Sequence, residues 1–173
     1  MPVLIPASVA ILATLWVAAL MAIQLRRLAA SGRLAAQMRG PVPPPTALPL
    51  SLIIPIKGPF QVDHLGLALD ALQGCNAELL VAVETLSDPA WEMAERFRQG
   101  RDDPRLGIVL TGPCPPGANG KVHNLLHGVA ASHGALLLFA DADVALTPAL
   151  VRHAADLLQQ NGVGAVFAPP YYS

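Results

Sequence analysis

Asp141 and Asp143 stand out by type and spacing as residues able to do chemistry. They form an Asp-Ala-Asp directly after the apolar run Ala135-Leu136-Leu137-Leu138-Phe139-Ala140. Where a chain stays extended, residues i and i+2 point the same way, so both carboxylates can face one ligand. Two like charges held together repel unless a cation sits near them, and hard carboxylate oxygens suit Mg2+ or Mn2+. Such an ion would neutralise a diphosphate and help it leave. The plainer alternative makes one aspartate a turn cap and leaves the other solvated. An Asp-x-Asp alone is common, and its place after an all-apolar strand is what favours the metal.

Other groups fall at comparable places. In Pro115-Pro116-Gly117-Ala118-Asn119-Gly120-Lys121 a glycine-containing turn enters a helix with a lysine. Backbone N–H groups and the lysine charge can approach an anion there. It is not a P-loop, because that pattern needs Gly at Pro115 and Ser or Thr at Val122. Glu84 can accept hydrogen bonds from a nucleobase or ribose, or simply be solvated. Lys57 either approaches phosphate or marks a strand end. Asp88 precedes Pro89 at a helix start, where capping alone selects aspartate. His123 and His127 share a helix face but lack the Glu of a His-Glu-x-x-His zinc site. Ser51, Ser87 and Ser132 have no Gly-x-Ser-x-Gly context, which excludes that type of hydrolase.

The elements that must hold these groups follow from periodicity. Short apolar runs predict strands over 50–56, 79–84, 106–110 and 135–140, the last apolar on both faces, with a fifth over 163–168. Leu65, Ala68, Leu69 and Leu72 mark a helix face that Gly74 ends. Asp88-Pro89 opens a helix to about Phe97, and Thr147-Pro148 opens another. Val122, Leu125, Leu126 and Val129 mark a helix face toward the core, with His123 and His127 on its flank. Strands alternating with helices imply a doubly wound α/β domain with a mostly parallel sheet. Ligands bind beyond the carboxyl ends of such strands, where Lys57, Glu84 with Asp88, the loop to Lys121, and Asp141 with Asp143 all stand.

The chain has 173 residues, 53% of them hydrophobic, and a mean hydropathy of +0.48. Val3 to Ile23 carries no charge and matches the roughly 20 apolar residues that span a bilayer. A cleaved signal peptide is the rival, but no Lys or Arg precedes the apolar stretch. Arg26, Arg27, Arg33 and Arg39 follow it, and the first acid is Asp63, so the positive-inside tendency puts the following segment in the cytoplasm. Leu25 to Arg39 is expected to be a helix near the membrane surface, and Gly40 to Pro45 a stiff proline linker. After Asp63 acids outnumber bases and no aromatics interleave with basic clusters, which excludes a nucleic-acid partner. Cys75 and Cys114 are in no Cys-x-x-Cys pair and are expected to be reduced; spacing alone leaves one bridge open.

Four short motifs in order resemble a glycosyltransferase family 2 or 21 domain, of the ceramide glucosyltransferase-like group that includes bacterial hopanoid-biosynthesis glycosyltransferases. They are Ile54-Pro55-Ile56-Lys57-Gly58, Ser87-Asp88-Pro89-Ala90, Gly117 through Leu125, and Asp141-Ala142-Asp143-Val144. The resemblance implies a GT-A (Rossmann-like) nucleotide-sugar-binding fold. It also implies inverting, metal-dependent transfer of a sugar from a UDP-sugar to a membrane lipid, ceramide- or hopanoid-like. By the same resemblance Asp88 and Asp141 are the first two of three functional acids. Lys57, Glu84, Asp88, Asn119, Lys121 and Asp141 would bind the donor, and Asp141 and Asp143 a divalent Mg2+ or Mn2+.

The family's third aspartate, the general base, and its Gln/Arg-x-x-Arg-Trp motif are not found before Ser173. The catalytic base is therefore expected beyond it and the GT-A domain is expected to be incomplete. The expected organisation is a transmembrane helix over 3–25, a basic juxtamembrane stretch and linker over 26–49, and the first part of the GT-A domain over 50–173. The expected location is the inner (cytoplasmic) membrane with the soluble domain on the cytoplasmic side. Two other expectations stand beside it: a non-catalytic membrane-anchored module that binds nucleotide-sugar, and a nucleotidyltransferase using the same acids.

Overall fold

Leu50–Ile56 is rich in isoleucine and leucine and closes on Lys57-Gly58-Pro59, a composition that favours a buried strand over a helix. In the structure, a computed structural model that describes residues 15–26 and 41–168, it is the strand β1. Helical residues 15–26 (α1) precede it. The elements that follow are α2 (Asp63–Ala71), β2 (Ala77–Val83), α3 (Pro89–Arg101), β3 (Leu106–Leu110), α4 (Gly120–Ala131), β4 (Leu136–Phe139) and α5 (Pro148–Leu158). The chain divides into two units, Met1–Pro41 and Val42–Ser173, with the division inside the proline-rich run.

The four strands form one parallel sheet in the order β3-β2-β1-β4. The chain builds outward from β1 to β3, then crosses back to lay β4 on the other side of β1. The switch point therefore lies between β1 and β4, where such sheets open a crevice at their carboxyl ends.

Leu52, Ile54 and Ile56 of β1 lie in register with Leu79, Val81 and Val83 of β2 and share one core cluster with residues of α2, α3 and α5. Val62, at the N-cap of α2, makes no side-chain capping bond. Packing holds α2 instead. Leu65 and Leu69 are buried to 1% exposure or less, and each such side chain contributes about 1.5–3 kcal/mol, against about 1 kcal/mol for a good cap. Helices α3 and α5 start as expected. Asp88 and Thr147 cap them, with Pro89 and Pro148 at the first positions, and α3 runs on to Arg101, beyond Phe97.

Helix α4 departs from expectation. Val122 and Leu126 are 51% and 63% exposed, and the buried residues are Asn124 and Gly128. The cause is close approach to the sheet. A Cβ on Gly128 would lie 2.5 Å from Ile53 Cγ2, so only glycine lets the helix axis come this near. Asn124 is satisfied in the interior: its Oδ1 accepts from Thr111 Oγ1 at 2.7 Å and its Nδ2 donates to the Ala82 carbonyl at 3.4 Å. His123 and His127 sit on the flank, as expected, with ring centroids 4.5 Å apart.

Three further expectations change. The fourth strand is an edge strand of four residues with Phe139 half-exposed, not one buried on both faces. An apolar run does not say where in the sheet it will sit. Residues 163–168 form no strand, and Phe167 is 86% exposed. The predicted span over 3–25 lies outside the described residues up to residue 14, as does most of the juxtamembrane stretch. Among the described residues no helix is long and apolar enough to cross a membrane. Cys75 and Cys114 are not bridged.

Candidate functional site

The crossover from β3 lays β4 beside β1 and brings the residues after both strands together. A cleft of about 460 Å³ opens there, lined by Ile56, Lys57, Glu84, Lys121, Asn124, Asp141 and Asp143 among others. A second, of about 480 Å³, shares Ile56, Lys57, Ala142 and Asp143 and adds Phe60, Gln61 and His64. Five of the seven residues expected in the site, Lys57, Glu84, Lys121, Asp141 and Asp143, line the first cleft. Asp88 and Asn119 line neither.

Two lysine–carboxylate pairs cross this crevice. Lys57 Nζ lies 3.0 Å from Glu84 Oε2, which joins the ends of β1 and β2. Lys121 Nζ lies 2.5 Å from Asp141 Oδ1, which joins the start of α4 to the end of β4. The backbone N–H of Cys114 donates to the other oxygen of Glu84 at 3.0 Å. That bond, with the Lys57 hydrogen bond, holds the Glu84 carboxyl below the usual glutamate range. In return the Glu84 hydrogen bond raises Lys57. Each partner thus favours the charged form of the other.

Asp88 works behind the crevice. Its Oδ1 caps α3 by accepting from Ala90 N–H at 2.9 Å and also accepts from Gly58 N–H at 2.8 Å. One carboxylate oxygen thereby ties the β1 loop to the start of α3. Gly58 has φ of 72°, a conformation that glycine adopts without a Cβ penalty. Asn119 is the N-cap of α4, its Oδ1 accepting from Val122 N–H at 3.2 Å.

The Asp-Ala-Asp segment is not extended. Val144 N–H donates to the Asp141 carbonyl at 3.2 Å, closing a turn over Asp141–Val144. The i, i+2 argument for a shared direction therefore fails, yet both aspartates line the cleft because the turn wraps around it. Among the described residues no group of three or more His, Cys, Asp or Glu comes together to hold a metal.

Sequence reasoning missed His64, Asn124 and Thr111. His64 Nδ1 lies 3.0 Å from the carbonyl of Ala142, between the two aspartates. Its signal was position, since it follows the β1 loop within the first turn of α2. Asn124 was legible as a polar residue four before Gly128, the pair sharing one helix face amid apolar neighbours.

Comparison with known proteins places this geometry. The family model for glycosyl transferase family 21 matches residues 10–173. A search of curated proteins found no match. Among solved structures, a mannosyltransferase from Pyrobaculum calidifontis, in complex with GDP-Man and Mn2+, is similar with a TM-score of 0.55 at 18% identity. The likeness covers 79% of this chain and 41% of that one, so the chain spans less than half the length of that structure. At this identity the likeness shows the fold, a parallel α/β sheet like that of a GT-A glycosyltransferase domain.

Proposed function

The chain belongs to glycosyl transferase family 21, and from that premise we propose that its cleft is the donor site of a glycosyltransferase that moves a sugar from a UDP-sugar to a membrane lipid. One observation carries the reading: Lys57, Glu84, Lys121, Asp141 and Asp143 converge in one crevice at the switch point of a parallel sheet. Nucleotides bind at such switch points. Two lysines there offset phosphate charge, and Glu84, fixed by Cys114 N–H, presents a carboxylate suited to ribose or base hydroxyl and N–H donors.

A divalent ion fits the oxygen set. Mg2+ and Mn2+ keep several waters and take one or two carboxylates plus substrate phosphates, so the two aspartates suffice without a third acid. Asp141 already pairs with the cation of Lys121 at 2.5 Å, which supports a carboxylate that faces positive charge in the crevice. Asp141 and Asp143 would hold the ion, which would offset the diphosphate charge and help it depart as the glycosidic bond breaks. The Pyrobaculum structure, which holds GDP-Man and Mn2+, supports a nucleotide-sugar and a metal as the ligand class. The lipid acceptor and a cytoplasmic-membrane location with the domain on the inner side rest on the uncharged run to Ile23 and the arginines after it. Inversion at the anomeric carbon rests on the family resemblance.

Isothermal titration of the full chain with UDP, with and without Mn2+, tests the site. Affinity should rise with the metal and fall at least tenfold in Asp143→Ala. Equal binding by that variant removes the metal role given to Asp143. GDP titrated alongside reports whether the base matters, and binding no weaker than that of UDP removes the uridine assignment.

A further inference from the structure

The turn Asp141–Val144 has a central peptide, Ala142–Asp143, whose orientation decides where Asp143 points. Rotating that peptide interconverts type I and type II turns, and the second form needs a positive φ at the position Asp143 occupies. Among the described residues the only non-glycine with positive φ is Asp102, so Asp143 holds the negative side. Aspartate tolerates the left-handed region better than most residues do. Ala142, Val144 and Leu146 pack with the core and fix the ends of the turn, but local preference alone holds the orientation of this peptide only weakly.

The brace comes from another element. His64 Nδ1 lies 3.0 Å from the Ala142 carbonyl, the oxygen that a flip of the central peptide would carry away. A carbonyl can only accept, so Nδ1 carries the hydrogen, and His64 lines the cleft with Phe60 and Gln61. The histidine is itself well fixed. It sits in the first turn of α2, and the next residue, Leu65, is 1% exposed in the core.

We infer that His64 is a positioning residue: its Nδ1–H bond to Ala142 locks the central peptide of the turn so that Asp141 and Asp143 present their carboxylates to one ion. The inference rests on the reading of this turn as the seat of a metal and a diphosphate. Partners that orient metal ligands without touching the metal are worth about 10–100-fold in metal affinity. His64 has that place here, acting on the backbone between the two ligands rather than on either side chain.

The test is Mn2+ binding by the full chain in detergent, with UDP present, followed by the electron paramagnetic resonance signal of free Mn2+. His64→Ala should weaken Mn2+ binding about tenfold or more. His64→Asn, whose amide N–H can stand near the lost Nδ1–H, should recover most of it, with the two variants alike in thermal midpoint. Affinity unchanged in His64→Ala overturns the inference, as does equal weakening by both variants, which would assign the effect to ring packing. If the wild-type chain binds no Mn2+ with UDP, the donor-site reading falls and takes this one with it. A readout free of metal stands alongside: the 15N spectrum of the imidazole should show the Nδ1–H tautomer in the neutral ring, and an Nε2–H tautomer overturns the inference.

Discussion

At the amino end of the sheet, Glu78 accepts from Ser51 Oγ at 2.5 Å and from His133 N–H at 2.6 Å, and Ser51 Oγ accepts in turn from Gly134 N–H at 2.8 Å. At the carboxyl end, Lys57 and Glu84 pair at 3.0 Å and Lys121 and Asp141 at 2.5 Å. Both ends use carboxylates between adjacent strands, but their partners differ in kind. Glu78 faces a fully buried hydroxyl, which cannot leave without the strands parting, and the backbone N–H of His133, while the exposed His133 ring lies 3.2 Å from its other oxygen. The lysine side chains at the other end are 73% and 56% exposed, and each can swap its carboxylate for a ligand at small cost. Glu84 lies between the two cases, with one oxygen on the backbone of Cys114 and the other on Lys57. A carboxylate met by fixed donors closes a fold, and one met by mobile cations leaves a site open.

The comparison breaks most severely at Gly134. A Cβ there would lie 2.4 Å from Ser51 N and 2.7 Å from the Leu50 carbonyl carbon, both backbone atoms that cannot swing aside. Gly134→Ala should cost about 3 kcal/mol, the upper part of the range for overpacking. At the other end, a Cβ on Gly120 would meet nothing within 4 Å, and Gly120→Ala should stay within about 0.5 kcal/mol. Urea midpoints of the two variants measure the contrast. Equal losses would mean that the two ends are packed alike.

Glu78 gives the next effect. Burial pushes its carboxyl up, but the hydrogen bonds from Ser51 and His133 together outweigh it and leave the group below the usual glutamate range. A carboxyl depressed in the folded state contributes stability that is complete above its unfolded value and disappears as pH falls through the folded one. Stability of the wild type should therefore decline on the acid side of the ordinary glutamate range, and Glu78→Gln should flatten that part of the profile. Glu78→Ala should cost about 2 kcal/mol at neutral pH, since it strands a buried hydroxyl and an N–H. Denaturant unfolding at several pH values reads both, and an unchanged acid slope in Glu78→Gln would remove Glu78 from the account.

Most of the sheet was legible because parallel strands buried on both faces read as plain apolar runs, and Asp88-Pro89 and Thr147-Pro148 mark helix starts whatever the surroundings. Strand position was not legible. Leu136–Phe139 is as apolar as β1 yet lies at the edge, because pairing partners are not written in a strand's own composition. Helix α4 was misread because periodicity equates apolar with buried. Here the nearest approach to Ile53 demanded glycine, and Thr111 made asparagine welcome. In the candidate site, the residues after the strands were found by rule. The second bond of Asp88 to Gly58 and the reach of His64 to Ala142 each depend on a contact across distant sequence, whereas the cap that Asn119 supplies is local, three residues from Val122.

The smallest effect on stability sharpens the comparison most. Lys121 and Asp141 are 56% and 53% exposed at the side chain, so their pair should add no more than about 0.5 kcal/mol, a typical value for exposed ion pairs. Lys121→Ala should accordingly leave the urea midpoint nearly unmoved. Binding should behave differently, because loss of a charged hydrogen bond to phosphate corresponds to about tenfold in affinity for each 1.4 kcal/mol. UDP should bind the variant about tenfold more weakly, and the remaining binding should depend less on salt, since one cation of the crevice is gone. The Mn2+ dependence should persist, because Asp141 is then freed from its lysine rather than removed. If Lys121→Ala lowered stability as Glu78→Ala does and left UDP affinity untouched, the lysine would be a strut like Ser51, and the carboxyl end of the sheet would be closed structure rather than an open site.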